Sequence, residues 1–263
     1  MTKYQNIGYV ASSSIENKKV SFFKKKYNLI DIKENPNSLI DLLIVMGGDG
    51  LMLHSLHNYV IQRCRKIPVY GINYGTIGFL LNKYSDNDLI TLINNAISTK
   101  LLLLKMTAVD TSGIQHNAIA INEISLFRNT HQAANLKIKI NNKLVMKQLI
   151  SDGVLVASPA GSTAYNFSAG GSILPLSSNI ISLTAINSFR PRRWRGALLP
   201  NSAVVEIEVL NPETRLVTAA ADYTEFHNIK NITIQQAHNL EITLLFDPHN
   251  RLEERIITEQ FLF

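Results

Sequence analysis

The 263-residue sequence predicts an α/β domain built on a parallel sheet, followed by a mostly antiparallel β domain. Three observations carry that expectation. Apolar, strand-like runs alternate with helical segments over about the first hundred residues, the pattern of β/α units. Near Leu101 the texture changes to β-rich segments separated by turn signals. Between these signals, the apolar run Leu42-Leu43-Ile44-Val45-Met46 leads directly into Gly47-Gly48-Asp49-Gly50, a glycine-rich turn between a buried strand and a helix.

In chain order, Asn6 to Ala11 reads as a strand and Ile15 to Tyr27 as a helix. Leu29 to Ile32 and Leu42 to Met46 are strands, and Leu51 to Cys64 has no breaker and continues as a helix. Pro68 to Asn73 is another buried strand, closed by a second glycine-rich turn from Asn73 to Phe79. Ser85 is expected to cap a helix running to about Ser98, with Asp88 three residues on, close to a capping box. Strands are then expected at Lys105 to Thr111, Ala118 to Phe127, Leu136 to Ile140, Val154 to Ala157 and Ile180 to Ile186. Val204 to Leu210, Arg215 to Ala220, Ile232 to Gln236 and Glu241 to Phe246 continue the series. Ser112-Gly113 and Asn141-Asn142 are hairpin turn signals. The domains are accordingly residues 1–100 and residues 101–246, with the tail 247–263 packing back on the first as a helix or a strand.

Composition narrows the function classes. A chain this long buries a core without disulfide or metal staples. The single cysteine, Cys64, excludes a disulfide framework and fits a reducing cytoplasm. Met1 to Val10 lacks the basic-then-apolar pattern of a secretory signal, and no apolar stretch reaches the roughly 18 residues of a membrane span. A net charge of +6 favours anionic partners. Lys18, Lys19 and Lys24 to Lys26 read as a solvated helix face; Arg190, Arg192, Arg193 and Arg195 surround Trp194 beside Phe189. Nucleic acid and a polyphosphate nucleotide would use such cations equally well, so charge alone does not choose.

Three constellations carry chemistry. The Gly47 to Gly50 turn should let the backbone adopt positive φ and pass close to an anion at a helix N-terminus. Asp-Gly is also a common plain turn. Asp49, however, would repel a phosphate unless a metal or a proton-transfer task justified it, which points to phosphoryl chemistry. The second constellation is the block from Ser151-Asp152-Gly153 to Gly170-Gly171, where Ser158, Ser162, Thr163, Tyr165 and Ser168 lie among small residues. Exposed amides and hydroxyls suit a ligand rich in sugar and phosphate, though a structural Pro/Gly loop is the simpler alternative. The third is Asn122-Glu123, a polar pair inside an apolar β run. Burying it unsatisfied would be costly. Its groups suit a base edge and a ribose hydroxyl pair, and a bulge at a strand junction would explain it as well. His54 and His57 lack a partner motif for metal, and Gly161-Ser162-Thr163 lacks the second glycine of a nucleophile elbow.

Taken in order and at these separations, Gly47-Gly48-Asp49-Gly50, Asn122-Glu123 and the Asp152 to Gly171 block resemble the signature of the NAD kinases. Gly71-Ile72-Asn73, Gly78-Phe79-Leu80 and the stretch from Phe189 through Trp194 to Pro200 are similar too, so the resemblance spans the chain. It implies a Rossmann-like first domain and a β-rich, β-sandwich-like, NAD-binding second domain. The implied reaction is phosphoryl transfer from ATP, or another donor, to the 2′-hydroxyl of the adenosine ribose of NAD, giving NADP. Asp49 matches the base, and Gly47, Gly48 and Gly50 surround it. Asn122 and Glu123 match the adenosine-binding pair, while Asp152, Ser158, Thr163, Ala164, Tyr165 and Ser168 match positions at the NAD site. Phe79 matches an aromatic residue near the adenine, and Asp222 a polar residue near the reacting ribose. Mg²⁺ or another divalent metal is implied, held mainly by the donor phosphates. So is a homodimer or homotetramer in the cytoplasm, with NAD and ATP as small-molecule partners and neither nucleic acid nor membrane.

One position departs from the pattern: many relatives carry Arg two residues before Asp152, where this chain has Ile150. A cation contact there is in doubt, with Lys147 or the Arg190 to Arg195 cluster as candidate replacements. Two alternatives stand beside the kinase reading. One is a lipid or sugar kinase sharing the glycine turn, against which the Thr163-Ala164-Tyr165 block argues. The other is a non-catalytic nucleotide sensor.

Overall fold

A computed structural model describes residues 3–75 and 78–248. The chain divides into two compact units. The first holds the described residues up to Leu101 and those from Glu241 on; the second is Leu102–Leu240. Of the tail expected at 247–263, residues 249–263 lie outside the described residues.

In the first unit the strands lie in the order Ile30–Asp31, Ile7–Ala11, Leu42–Gly47, Pro68–Asn73, Ile242–Phe246 and Ile97–Leu101, with Asn82–Lys83 also paired to Pro68–Asn73. Every pairing is parallel except that of Ile97–Leu101 with Ile242–Phe246. Leu42–Gly47 is buried throughout, which is why it reads as an unbroken apolar run. Buried Asn82 ties neighbouring strands: its side-chain amide donates to Gly71 O and Leu245 O, and its oxygen accepts the N–H of Asp247. Helix Asn17–Tyr27 packs through Val20, Phe23 and Tyr27, leaves its lysines in solvent, and ends on Asn28 in the left-handed conformation.

Several expectations are corrected here. Glu241 to Phe246, expected in the β-rich domain, instead supplies Ile242–Phe246 to the first sheet; the alternation of a strand does not reveal which sheet it joins. The helix after the glycine turn begins at Asp49 with extended Gly48 as its N-cap, and passes at Leu56–Ile61 into a π-helical stretch. None of Gly47, Gly48 and Gly50 has positive φ. The strand runs straight into the helix, and a Cβ on Gly47 would stand 2.7 Å from Leu51 Cδ2, a side-chain end that can turn aside. Cys64 lies beyond that helix, exposed at φ 50. Asp88, not Ser85, caps the next helix, Leu89–Asn95, by accepting the Thr91 N–H at 3.1 Å. From Ile97 the chain is strand, not helix.

The second unit is a sandwich of two six-stranded antiparallel sheets. One sheet orders Lys143–Ser151, Ala134–Ile140, Val205–Val209, Ile229–Gln236, Leu104–Asp110 and Gln115–Ala120. The other orders Gly196–Pro200, Ile180–Ile186, Gly153–Ala157, Glu123–Arg128, Val217–Ala221 and Thr224–Phe226. Inward residues such as Leu136, Ile138 and Val205 of the first meet Ile124, Leu126 and Val154 of the second in one core. The expected single strand Ala118 to Phe127 is therefore two strands, and the chain changes sheets at Ile121-Asn122. The Asn141-Asn142 hairpin has φ of 50 and 65, the signs a type I′ turn demands. Among the described residues no helix is long and apolar enough to cross a membrane.

Candidate active site

Gly47 and Asn73 are paired at the C-terminal ends of adjacent parallel strands, where an open α/β sheet presents its ligand site. Tyr74 N–H donates to Gly47 O at 2.8 Å, and Asn73 Oδ1 accepts from Gly75 N–H. The two glycine-rich turns foreseen from sequence are thus side by side. Asp49 closes the arrangement: Oδ2 accepts the N–H of Phe79 at 2.7 Å and Oδ1 that of Leu80 at 2.8 Å. Phe79 is half-buried, and its amide rather than its ring makes this link. Among the described residues no neighbouring atom lies within 4 Å of a Cβ built on Gly48 or Gly50, so there the turn keeps an open backbone face.

In the second unit Asn122-Glu123 occupies the sheet crossing. Asn122 Oδ1 and Glu123 Oε2 are buried and lack a hydrogen-bond partner among the described residues. Orphaned buried oxygens cost on the order of 1–3 kcal/mol each, a cost that a ligand donor would relieve. The backbone of the pair is held firmly. Asp222 Oδ2 accepts the N–H of Ile121 at 2.8 Å, and Oδ1 accepts those of Asn122 at 2.9 Å and Glu123 at 3.3 Å. Gly161 presses against the same turn, where a Cβ would overlap the Asn122 carbonyl.

The hydroxyl-rich block folds as a short 3-10 turn, Ala160–Thr163, and a helical turn, Tyr165–Ser168. Ser158, expected to line the site, is fully buried: its hydroxyl donates to Ile121 O and accepts from Gly161 N–H. Ser162 is also buried and bonded within the loop, to Pro159 O and Leu174 N–H. Buried Asn166 was not foreseen; it donates to Ser162 O and Ser172 O and accepts from Thr184 Oγ1. These groups fasten the loop to the sheet. Thr163 and Ala164 are half-buried, whereas Ser168 and Tyr165 are exposed. The Tyr165 ring lies 5.6 Å from that of Phe127.

Among the described residues the Asp152 carboxylate has two side-chain partners. Arg128 Nε donates to Oδ1 at 2.5 Å and Asn187 Nδ2 to Oδ2 at 2.9 Å, and both hold its carboxyl below the usual range. Arg128 was missed because only the antiparallel register of Glu123–Arg128 with Gly153–Ala157 brings it there. Ile150 spends its backbone on Arg190 and Phe189, whose Arg190-rich loop it anchors.

A cavity of about 590 Å³ on the outer face of this sheet is lined by Glu123, Asp222, Tyr165, Phe127, Glu225 and His227, among others. Burial and, second, the charge of Asp222 push Glu123 up to about 7. Burial likewise raises Tyr165. Among the described residues no cluster of three or more His, Cys, Asp or Glu is placed to hold a metal.

By fold the chain falls in the class of the solved NAD and NADH kinases. Yeast NADH kinase in complex with NADH matches with a TM-score of 0.77 at 22% identity, covering 97% of this chain and 86% of that one. An NAD kinase from Archaeoglobus fulgidus in complex with ATP gives 0.72 at 20% identity, covering 97% and 96%. Sequence narrows the class. The ATP-NAD kinase N-terminal domain family matches residues 4–100, and the ATP-NAD kinase C-terminal domain family matches residues 121–243. NAD kinases of Rickettsia bellii and Rickettsia felis are 47% and 46% identical to it, over 95% and 97% of this chain and 93% and 99% of theirs. The chain belongs to the ATP-NAD kinase family.

Proposed function

We propose that this chain phosphorylates NAD, transferring the terminal phosphoryl group of ATP to the 2′-hydroxyl of the adenosine ribose and releasing NADP. The observation that carries the proposal is the pair of buried oxygens Asn122 Oδ1 and Glu123 Oε2, which have no hydrogen-bond partner among the described residues and suit the donors of a nucleoside. Glu123 would hold the ribose hydroxyls and Asn122 the base. Thr163, Ala164, Tyr165, Ser168 and Asp152 would surround the rest of the nucleotide, with Ser158 shaping the turn from beneath.

A ribose hydroxyl is a poor nucleophile at neutral pH, so Asp49 would take its proton as the bond to phosphorus forms. Each Asp49 oxygen already accepts one amide, and a carboxylate oxygen has room for more than one donor. Those amides would hold the base in one orientation. Gly48 and Gly50 would offer open backbone to phosphate. Much of the rate would come from positioning.

Mg²⁺ or another divalent ion would sit mainly on the donor phosphates, since the described residues provide no dedicated cage and Mg²⁺ often binds this way. Its contribution when bound is to neutralise phosphate charge. The reading includes a homodimer or homotetramer in the cytoplasm, where Cys64 stays reduced. Purified protein given NAD, ATP and Mg²⁺ is expected to form NADP, read with an NADP-specific dehydrogenase. Binding of NAD without any NADP would instead identify a sensor.

A further inference from the structure

We propose that Asp222 is a positioning residue of the acceptor site, acting through Glu123 and its turn rather than on the nucleotide directly. The inference rests on the functional reading above and adds a residue role to it.

The geometry is unusual for a side chain of a ligand contact. Three consecutive amides, of Ile121, Asn122 and Glu123, converge on the Asp222 carboxylate. Such a run of N–H groups is an anion nest, and here the anion is internal. The link is reciprocal, because Asp222 N–H donates to Glu123 O at 3.1 Å. Asp222 itself sits at φ 51 in the two-residue turn joining Val217–Ala221 to Thr224–Phe226, a left-handed position that Asp tolerates better than most residues. The turn carrying Asp222 and the sheet crossing carrying Glu123 are therefore fixed to each other through backbone and side chain together.

A second consequence is electrostatic. The Asp222 charge stands beside a buried Glu123 whose Oε2 has no protein partner among the described residues. The other titratable groups lining the same cavity are Tyr165, Glu225 and His227. Burial and, second, the Asp222 charge make the Glu123 carboxylate harder to ionise, up to about 7, so near neutral pH the acceptor site is divided between two charge states. A ribose hydroxyl pair meets these two states differently, since only the protonated carboxyl can donate.

The test measures NAD affinity without ATP, together with steady-state kcat and KM, from about pH 5.5 to about 8.5 for wild type, Asp222→Asn and Glu123→Gln. Wild type is expected to show a step in NAD affinity centred near 7. Asp222→Asn should move that midpoint acidward by roughly half a unit or more. It should also raise the KM for NAD about tenfold with kcat changed less than about threefold. Glu123→Gln, which cannot ionise, should abolish the step. An unmoved midpoint in folded Asp222→Asn, or a step that survives in Glu123→Gln, overturns the proposal. Should Asp222→Asn fail to fold, as read by circular dichroism, Asp222→Ser, which keeps a short hydrogen-bond acceptor without the charge, takes its place under the same criteria. Because affinity is read without ATP, a wild type that binds NAD with this step but makes no NADP defeats the kinase reading and not this one.

Discussion

The carboxylate of Asp49, the first residue of its helix, accepts the backbone N–H of Phe79 at 2.7 Å. With the Leu80 amide on its other oxygen, it joins the two turns at the ends of neighbouring parallel strands. A residue whose role as base is implied by the resemblance to the NAD kinases thus also holds the loop beside it. The two roles are separable by substitution.

Asp49→Asn should lower turnover at least about a hundredfold, the range of general-base loss, while NAD still binds. It also sets a side-chain NH₂ against a backbone N–H, so stability should fall by about 1–3 kcal/mol in denaturant melts. Near-normal NADP production by this variant would remove Asp49 from the chemistry and leave only the structural role.

The glycines divide into two groups. Gly161→Ala forces a methyl into the Asn122 carbonyl, which cannot swing away as a flexible side-chain end would. It should cost several kcal/mol, on the scale of overpacking, and raise the KM for NAD. Gly50→Ala meets no neighbouring atom within 4 Å among the described residues and should melt within about 1 kcal/mol of wild type. If phosphate approaches that backbone, its activity should nevertheless fall at least about tenfold. Comparing melting with turnover for the two variants checks this.

Glu123 gives the stability a pH dependence of known sign. The folded chain keeps the Glu123 proton up to about 7, whereas an unfolded chain releases it near 4.5. This contribution to stability is fully present below pH 4.5 and is lost as pH rises through about 7. The difference in stability between Glu123→Gln and wild type should therefore grow over that window and level off above it, reaching on the order of 3 kcal/mol. A difference that stays flat from acid to neutral pH would show Glu123 ionising normally.

Arg128→Ala removes the ion pair to Asp152 and a bond to Thr130 O. Both charges are about a third exposed, so the stability loss should be only about 1 kcal/mol. Asp152 then relies on Asn187, and the KM for NAD should rise several-fold. Unchanged kinetics would mean that Asn187 alone positions Asp152.

Much of this arrangement was legible in the sequence. The buried run Leu42 to Met46 and the turn behind it declared strand and helix together, since burial on both faces leaves an unbroken apolar signature. Asn122-Glu123 stood out because polar residues interrupt an apolar run only for a reason, and the reason includes a change of sheet that periodicity cannot display. Arg128 and the Asp222 link were invisible for a related cause. Both depend on which strands pair and in what register, a non-local matter that local spacing does not encode. Ile242–Phe246 illustrates the same limit: its alternation is that of any strand, and only its partners Pro68–Asn73 and Ile97–Leu101 place it. Ser158 and Ser162 carried polarity that looked ligand-directed; burial turned their hydrogen bonds inward to fasten the loop.

The most direct measurement is phosphorus NMR of the product formed from NAD, ATP and Mg²⁺ by the purified wild-type chain. One new phosphomonoester, coupled to the 2′ proton of the adenosine ribose, is the predicted result. A monoester on another hydroxyl, or NAD recovered unchanged while the protein remains folded and binds it, would contradict the account.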